Sequence, residues 1–267
     1  MQTGVHRVEH FEHGGGTLVD EVLGESTSPH LVFMHGWGRT RDSLRAIGGL
    51  FERSHCVHLL DLPGFGEAPP PPDDWDTIKY TDLVQRYVLD RLQGPVVLVG
   101  HSFGGRIAVR LAAHRLPQIQ RIVLMGAPGP PVQELSLRRI RRAAIRQLRS
   151  ALKAVRPVVG QAPLDWHTRR FGSRDYLAAG VLRPILVRVV NEDLTDSVTS
   201  IGCPTLLLWG SDDTETPPSV AHQYVRLLGD KSTLHLLPHK DHHLYAGTGA
   251  HLCAFKIRSW LHADGKR

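Results

Sequence analysis

The first half of the chain alternates short apolar runs with stretches of helical periodicity. Two segments of alternating apolar and polar residues flank His13-Gly14-Gly15-Gly16 and predict a β-hairpin. The later apolar runs predict strands, and the segments between them carry apolar residues three and four positions apart, as helices do. The predicted strands are 5–11, 17–23, 31–34, 56–60, 96–99 and 122–125, and the predicted helices are 41–51, 80–92 and 107–116. Regular alternation is typical of an α/β fold with a parallel sheet and helices on both faces.

This alternation stops after residue 131 and resumes at Pro204. The intervening segment has helical periodicities but no strand of the earlier kind, whereas the end of the chain predicts strands at 206–209 and 233–237 and helices at 219–228 and 250–262. The simplest account is one sheet domain, formed by residues 1–129 and 198–267, that carries a helical insertion at residues 130–197.

The basic charge of the chain is concentrated in that insertion. Lysine and arginine number 32 against 26 acidic residues, and residues 138–156 hold eight basic residues and no acid. The remainder is slightly acidic, so the high pI does not indicate a nucleic-acid partner. Within the insertion, residues 137, 140, 144, 148, 151 and 155 form an apolar face. The basic flanks are a solvated surface, a means of steering acidic substrates or a peripheral contact with an anionic membrane.

Other compositional features exclude several classes of protein. The first twelve residues lack the apolar core of a signal peptide, and no apolar run is long enough for a membrane span. Cys56, Cys203 and Cys253 are odd in number and widely spaced, which favours a reduced, cytoplasmic protein over a disulfide framework. The pairs His55/His58 and His239/His242 lack a third ligand at fixed spacing, so we predict neither a metal nor another cofactor.

Candidate chemistry centres on Gly100-His101-Ser102-Phe103-Gly104, which lies between a predicted strand and a predicted helix. This G-x-S-x-G pattern is typical of a nucleophile elbow, a turn so sharp that its serine adopts a strained backbone conformation and its neighbours are glycine. A serine hydroxyl needs a histidine to accept its proton and an acid to orient that histidine. Acidic residues and histidines both follow later predicted strands. The acids lie in Ser211-Asp212-Asp213, and the histidines lie in the segment 238–243.

Together these motifs resemble the α/β-hydrolase superfamily over essentially everything outside the insertion. His35-Gly36-Trp37-Gly38 looks like an oxyanion loop, residues 61–66 look like the turn after the next strand, and residues 210–213 look like the acid loop. The resemblance implies an eight-stranded, mostly parallel sheet with a helical cap after the sixth strand, at residues 130–197. It selects Asp213, three positions after Gly210, as the acid.

The histidine departs from the family pattern, because Asp241-His242-His243 stands where a Gly-His pair is usual. The spacing from Pro238 favours His242 as the base. The resemblance then implies an acyl-enzyme on Ser102, with the backbone N–H groups of Trp37 and Phe103 as the oxyanion hole.

Three further residues are candidates for substrate binding. His35 and His101 either face the substrate or hydrogen-bond the surrounding loops. Arg183 either binds a substrate carboxylate or pairs with Glu192 or Asp193 within the cap. Residues 171–176, 183 and 191–193 look like cap features of a group of bacterial hydrolases.

The leading hypothesis from the sequence is a carboxylic ester hydrolase acting on a small-molecule ester or related acyl substrate. Alternatives on the same triad are a carbon–carbon hydrolase of diketone acids, an amidase and a thioesterase. A ligand-binding receptor that keeps the fold without the chemistry is the alternative from another class. The sequence predicts neither the acyl and alcohol groups nor the oligomeric state.

Overall fold

The computed structural model describes residues 6–25, 29–72, 75–131 and 178–263, with the short pieces 147–148, 150–154 and 162. Most of the predicted insertion, including residues 171–176 and most of the predicted apolar face and basic flank, lies outside the described residues. The boundary of the cap at residues 130–197 therefore stays a prediction.

The described elements follow the predicted alternation closely. The strands are β1 His6–His13, β2 Gly16–Leu23, β3 His30–Met34, β4 Cys56–Asp61, β5 Val96–His101, β6 Ile119–Met125, β7 Thr205–Gly210 and β8 Ser232–Leu237. The described helices are α1 Asp42–Gly48, α2 Thr77–Arg91, α3 Phe103–Ala113, α4 Arg183–Val190, α5 Thr195–Ser200, α6 Pro218–Leu228 and α7 Gly249–Ala263.

All eight strands form one sheet in the order β1-β2-β4-β3-β5-β6-β7-β8. The β1–β2 and β2–β4 pairs are antiparallel, and every other neighbouring pair is parallel. The predicted α/β fold with an eight-stranded, mostly parallel sheet is thus confirmed.

Helices cover both faces of the sheet, which explains why the central strands are continuously apolar. Every residue of β3 and of β5 is buried. One face packs against α2, α3, α5 and α6 through a core that contains Tyr80, Ile107, Val198 and Tyr224. The other packs against α1 and α7 through a core that contains Ile47 and Ile257. Strands buried on both faces lose the polar–apolar alternation that half-exposed strands show.

The largest boundary difference lies at α3, which begins at Phe103 rather than at residue 107. The predicted start followed the first apolar periodic residue, whereas glycines at 104 and 105 weaken the local helix signal. The helix therefore begins directly after Ser102, so that the serine occupies its N-terminal end.

The parallel strands point the same way, so their carboxyl ends share one edge of the sheet. We call this the carboxyl edge, and it carries the segments after β3, β5, β6, β7 and β8. Among the described residues, no helix combines the length and the apolar character needed to cross a bilayer. The thiols of Cys56, Cys203 and Cys253 are free.

Candidate active site

Ser102 occupies a strained turn at the carboxyl edge. Its backbone has φ 48° and ψ −109°, a left-handed conformation that is costly for a residue with a side chain. The turn is held on both sides, since the Ser102 N–H donates to the Met125 carbonyl (3.0 Å) and the Gly104 N–H to the His35 carbonyl (2.9 Å). The predicted nucleophile elbow therefore has the expected backbone geometry.

The glycines around Ser102 are required by space. A Cβ on Gly100 would lie 2.6 Å from the Gly104 carbonyl oxygen, and one on Gly104 would overlap the Met34 carbonyl. A Cβ on Gly105 would overlap the side chain of Ala127. Strand and helix approach each other here more closely than any side chain permits.

His242 and Asp213 come together on two neighbouring loops of the same edge. The His242 Nδ1 lies 2.8 Å from Asp213 Oδ2, and both side chains are buried. Because a carboxylate only accepts, Nδ1 carries the proton and the His242 Nε2 keeps its lone pair. This is the tautomer that a general base needs.

The Asp213 carboxylate is held by three further donors. Its Oδ1 accepts from the N–H groups of Glu215 (2.9 Å) and Thr216 (2.8 Å), and its Oδ2 accepts from the Thr216 hydroxyl (2.8 Å). Thr216 Oγ1 also lies 3.0 Å from the Gly126 carbonyl oxygen and 3.2 Å from His242 Nδ1. These donors hold the Asp213 carboxylate in one orientation toward His242.

The neighbouring acid and histidine have other contacts. Asp212 is exposed and accepts from the Ser211 hydroxyl (2.7 Å). His243 is partly exposed and its Nε2 accepts from Arg39 Nη2 (2.9 Å). Burial and the positive charge of Arg39 lower the pKa of His243. Of the two candidates in each loop, the side chains in contact are Asp213 and His242.

His101 links the elbow to the His242 loop. Its Nε2–H donates to the His242 carbonyl (2.9 Å), and the two imidazole rings lie 4.9 Å apart. Gly126, which follows the residue that accepts from Ser102, approaches the same place: a Cβ there would lie 3.2 Å from both Asp213 Oδ2 and His242 Nδ1. Segments after β5, β6, β7 and β8 thus converge around Ser102 and His242.

Both candidate substrate-binding histidines are buried among loops. His35 Nδ1–H donates to the Gly36 carbonyl (2.8 Å), while its Nε2 accepts from the Leu62 N–H (3.1 Å). Burial lowers the pKa of His35 to about 4, and burial together with the charge of His242 lowers that of His101 well below its usual value. Of the two interpretations, hydrogen bonding to the loops is the one that this geometry fits.

An apolar cleft of about 290 Å³ opens beside the predicted oxyanion loop. Its lining combines the aromatic side chains of Trp37 and Phe65 with small and aliphatic residues of the segment 178–182. Trp37 also packs edge-to-face on Phe103, with ring centroids 5.2 Å apart.

Since Phe103 is the first residue of α3, its N–H has no carbonyl four residues earlier within the helix.

Arg183 lies at the exposed start of α4. Its predicted partner Glu192 forms an ion pair with Arg110 of α3 (2.6 Å), and the other, Asp193, accepts from Thr195. Glu192 thereby joins the segment after α4 to the sheet domain.

Sequence reasoning missed two polar residues of this site. The Thr216 hydroxyl contacts Asp213 and His242, and the exposed Glu215 carboxylate lies 3.6 Å from His242 Nε2. A threonine three positions after an acid is a weak signal, because the same spacing is common in turns.

Comparisons with known proteins identify the family of the chain. Residues 31–250 match the alpha/beta hydrolase family. The chain is 26% identical over 246 residues to a pimeloyl-[acyl-carrier protein] methyl ester esterase of Chromobacterium violaceum, covering 84% of this chain and 91% of the relative.

Solved structures share the fold. A membrane phospholipase A, described as a bacterial virulence factor, has a TM-score of 0.72 at 22% identity, covering 94% of this chain and 86% of its own. A serine hydrolase involved in carbazole degradation has a TM-score of 0.71 at 19% identity, with coverages of 96% and 99%. With the match over residues 31–250 and the eight-stranded sheet, the chain belongs to the alpha/beta hydrolase family.

Proposed function

We propose that this protein hydrolyses carboxylic esters, with Ser102 as nucleophile, His242 as general base and Asp213 as the acid that orients it. The observation that carries the proposal is the buried 2.8 Å hydrogen bond between His242 and Asp213, on loops that converge on the strained turn of Ser102. The esterase relative from Chromobacterium violaceum supports the same bond type.

The chemistry follows from the proton positions. His242 Nε2 takes the proton of the Ser102 hydroxyl as Oγ attacks the ester carbonyl, and the imidazolium formed is stabilised by Asp213. His242 then gives that proton to the leaving alcohol, which leaves an acyl-enzyme on Ser102. A water molecule, activated by the same imidazole, releases the acid and restores the serine.

The tetrahedral intermediate carries a negative oxygen that needs fixed donors. The N–H groups of Trp37 and Phe103 are our candidates, the second at the positive end of α3. Removing one such donor costs about 3 kcal/mol of barrier in other acyl-transfer enzymes. The buried, hydrogen-bonded His35 supports the loop that carries Trp37.

The cleft supports an apolar acyl group as the part of the substrate that the protein recognises. Trp37, Phe65 and the segment 178–182 offer apolar surface, and these described lining residues carry no charged side chain. Trp37 also contacts Phe103, the residue after Ser102. We propose that residues 130–197 cap this cleft. The methyl ester esterase relative supports the further proposal that the substrate is an acyl ester with a small alcohol. The free thiols agree with action in a reducing cytoplasm, which stays a prediction.

The proposal is tested by labelling with a fluorophosphonate probe and by hydrolysis of p-nitrophenyl butyrate. We expect the wild type to be labelled and active, and Ser102→Ala to lose both properties. Ser54→Ala, which removes a serine hydroxyl bonded to the Phe51 carbonyl, is the matched control and should keep both. Full turnover by Ser102→Ala would rule out this nucleophile, and failure of the wild type to label would favour a ligand-binding receptor.

Two further arms separate the remaining alternatives. His242→Ala should abolish turnover while His243→Ala retains most of it; the reverse result would move the base to His243. A panel of short esters, an amide, a thioester and a ring-cleavage diketone acid identifies the bond. Preference for the diketone acid would replace ester hydrolysis by carbon–carbon hydrolysis.

A further inference from the structure

A second cluster of histidine and cysteine lies at the opposite end of the strands from Ser102. His30 and Cys56 are the first residues of β3 and β4 and are paired across these strands. His58 lies two residues beyond Cys56 and so points to the same face of the sheet. All three side chains are buried, and their ligand atoms lie within 4.8 Å of one another. The catalytic mechanism uses none of them.

The hydrogen bonds around the cluster determine which ring nitrogens face inward. His30 Nε2 lies 3.0 Å from the Gln93 carbonyl oxygen and must donate to it. His58 Nδ1 lies 2.9 Å from Asp20 Oδ2 and donates to that carboxylate. In the neutral forms of these rings, the lone pairs of His30 Nδ1 and His58 Nε2 remain for the interior of the cluster.

Those two nitrogens face each other at 3.0 Å, and Cys56 Sγ lies 3.4 Å from His58 Nε2. The lone pairs of three groups therefore point into one small volume. Because lone pairs repel each other, this arrangement is stable only if a cation lies among them. The cation is a proton, carried by one of the groups, or a metal ion. In a tetrahedral zinc site two imidazole nitrogens are about 3.4 Å apart, close to the spacing found here.

The surroundings match what metal sites require beyond their ligands. Metal-binding histidines usually donate the other ring N–H to a carboxylate or a backbone carbonyl, as His58 does to Asp20 and His30 to the Gln93 carbonyl. The Tyr87 hydroxyl also donates to Asp20 Oδ2. Asp20 Oδ1 is buried and has no hydrogen-bond partner among the described residues, which leaves an acceptor beside the cluster.

We propose that His30, Cys56 and His58 bind a zinc ion. Thiolate and imidazole ligands suit this borderline-soft cation, and a carboxylate-only site would instead suit magnesium or calcium. The ion would join β3 to β4 directly and, through Asp20 and Gln93, would tie both strands to β2 and to the segment after α2. The three side chains supply three ligands, which leaves the fourth tetrahedral position to a water molecule. The amino ends of β3 and β4 lie away from Ser102, so the ion would stabilise the sheet rather than take part in the chemistry at Ser102.

The test uses the full chain without a histidine tag, produced in defined medium that contains Zn²⁺ or Co²⁺. Because the three side chains are buried in the folded protein, we expect them to bind the metal while the chain folds. The metal is therefore supplied during expression. Elemental analysis should find about one zinc per chain in the wild type and at least about tenfold less in Cys56→Ser and His30→Gln. Cys203→Ser is the matched control and should keep its zinc.

Cobalt distinguishes this site from the surface histidines. The cobalt-loaded wild type should show a sulfur-to-metal charge-transfer band, which requires a bound thiolate and is absent from a histidine-only site. Asp20→Asn should lower the affinity for the metal by about 10–100-fold, measured in competition with a chelator.

If Cys56→Ser fails to fold, the band in a Cys203→Ser/Cys253→Ser variant still assigns the thiolate to Cys56. Absence of both metal and band from the wild type would overturn the proposal and leave a proton as the shared cation. Metal that persists without the band would identify adventitious binding by other histidines.

Discussion

The two ends of β3 carry two histidine clusters with opposite electrostatic character. At the carboxyl edge, burial lowers the pKa of His35 to about 4 and that of His101 well below its usual value. At the amino end, burial also lowers the pKa of His58, but the hydrogen bond and the charge of Asp20 and the contact with Cys56 outweigh it and raise that pKa to about 9.

The difference comes from the partners of each ring. His35 bonds a backbone carbonyl and a backbone N–H, which together require a neutral ring. His58 bonds a buried carboxylate, which favours a cation nearby. Similar burial therefore leaves a lowered pKa where the partners are backbone groups and a raised pKa where the partner is a carboxylate. The four predictions below, in order of decreasing effect, concern the end of β3 that carries His35.

The largest effect is expected for Asp213→Asn. An amide accepts from His242 poorly and cannot stabilise the imidazolium, so the kcat for p-nitrophenyl butyrate should fall by about 10³–10⁴-fold. Asp212→Asn is the matched control, because that side chain is exposed and, among the described residues, accepts a hydrogen bond from Ser211 alone. Equal losses in both variants would contradict the assignment of the acid. The cobalt band of the other cluster should not change in either variant.

Stability at mildly acidic pH should reveal the neutral state of His35. Between pH 6.5 and about 4 the unfolded chain protonates this histidine and the folded chain does not. The free energy of unfolding should therefore fall as the pH is lowered through this window, by on the order of 3 kcal/mol from this group. Urea denaturation at a series of pH values measures the slope.

His35→Gln removes the titrating group, so its slope over this window should be shallower than that of the wild type. His222→Gln, which changes an exposed histidine, should keep the wild-type slope. An unchanged slope in His35→Gln would show that His35 is already protonated in the folded protein above pH 6.

Thr216→Val should have a smaller effect that is confined to kcat. The variant keeps the shape of the side chain but loses the hydroxyl that donates to Asp213 at 2.8 Å. A hydrogen bond of this kind contributes about 0.5–1.5 kcal/mol, so we expect kcat to fall by about 2–10-fold with KM nearly unchanged. Thr216→Ser should restore the rate; if it does not, Thr216 acts through packing rather than through its hydroxyl.

The smallest effect concerns the cleft. Val181 is 70% exposed and lines the cleft, so Val181→Trp should narrow it without disturbing the core. We expect a few-fold loss of kcat/KM for octanoate esters and little change for acetate, because only the longer acyl chain reaches this position. Val190→Trp, exposed on α4 outside that cleft lining, is the control. A uniform loss for all chain lengths would place the acyl chain elsewhere.

Local patterns predicted much of the fold because they depend on neighbouring residues along the chain. The buried runs of β3 and β5 and the periodic segment of α2 appear directly in the sequence. The start of α3 does not appear in the sequence. Its glycines allow the close approach of strand and helix, and they have low helix propensity. Thr216 escaped detection because its role depends on a contact with the His242 loop.

The cluster at the amino end shows the same limit more clearly. The pair His55/His58 has no third ligand at a fixed spacing along the chain. In the structure His58 is joined by Cys56 and by His30, which lies 28 residues away from it in the chain. Parallel pairing of β3 with β4 brings them together, and no fixed spacing in the sequence encodes that pairing.

The sequence by itself determined the α/β class, the elbow at Ser102 and the chain order of serine, acid and histidine, because these are properties of short segments and their succession. Only the tertiary structure decided which side chains meet: Asp213 with His242, His243 with Arg39, and His30 with His58. The physical reason is that a side chain's partners depend on strand register and loop backbone, which arise when distant segments pack together.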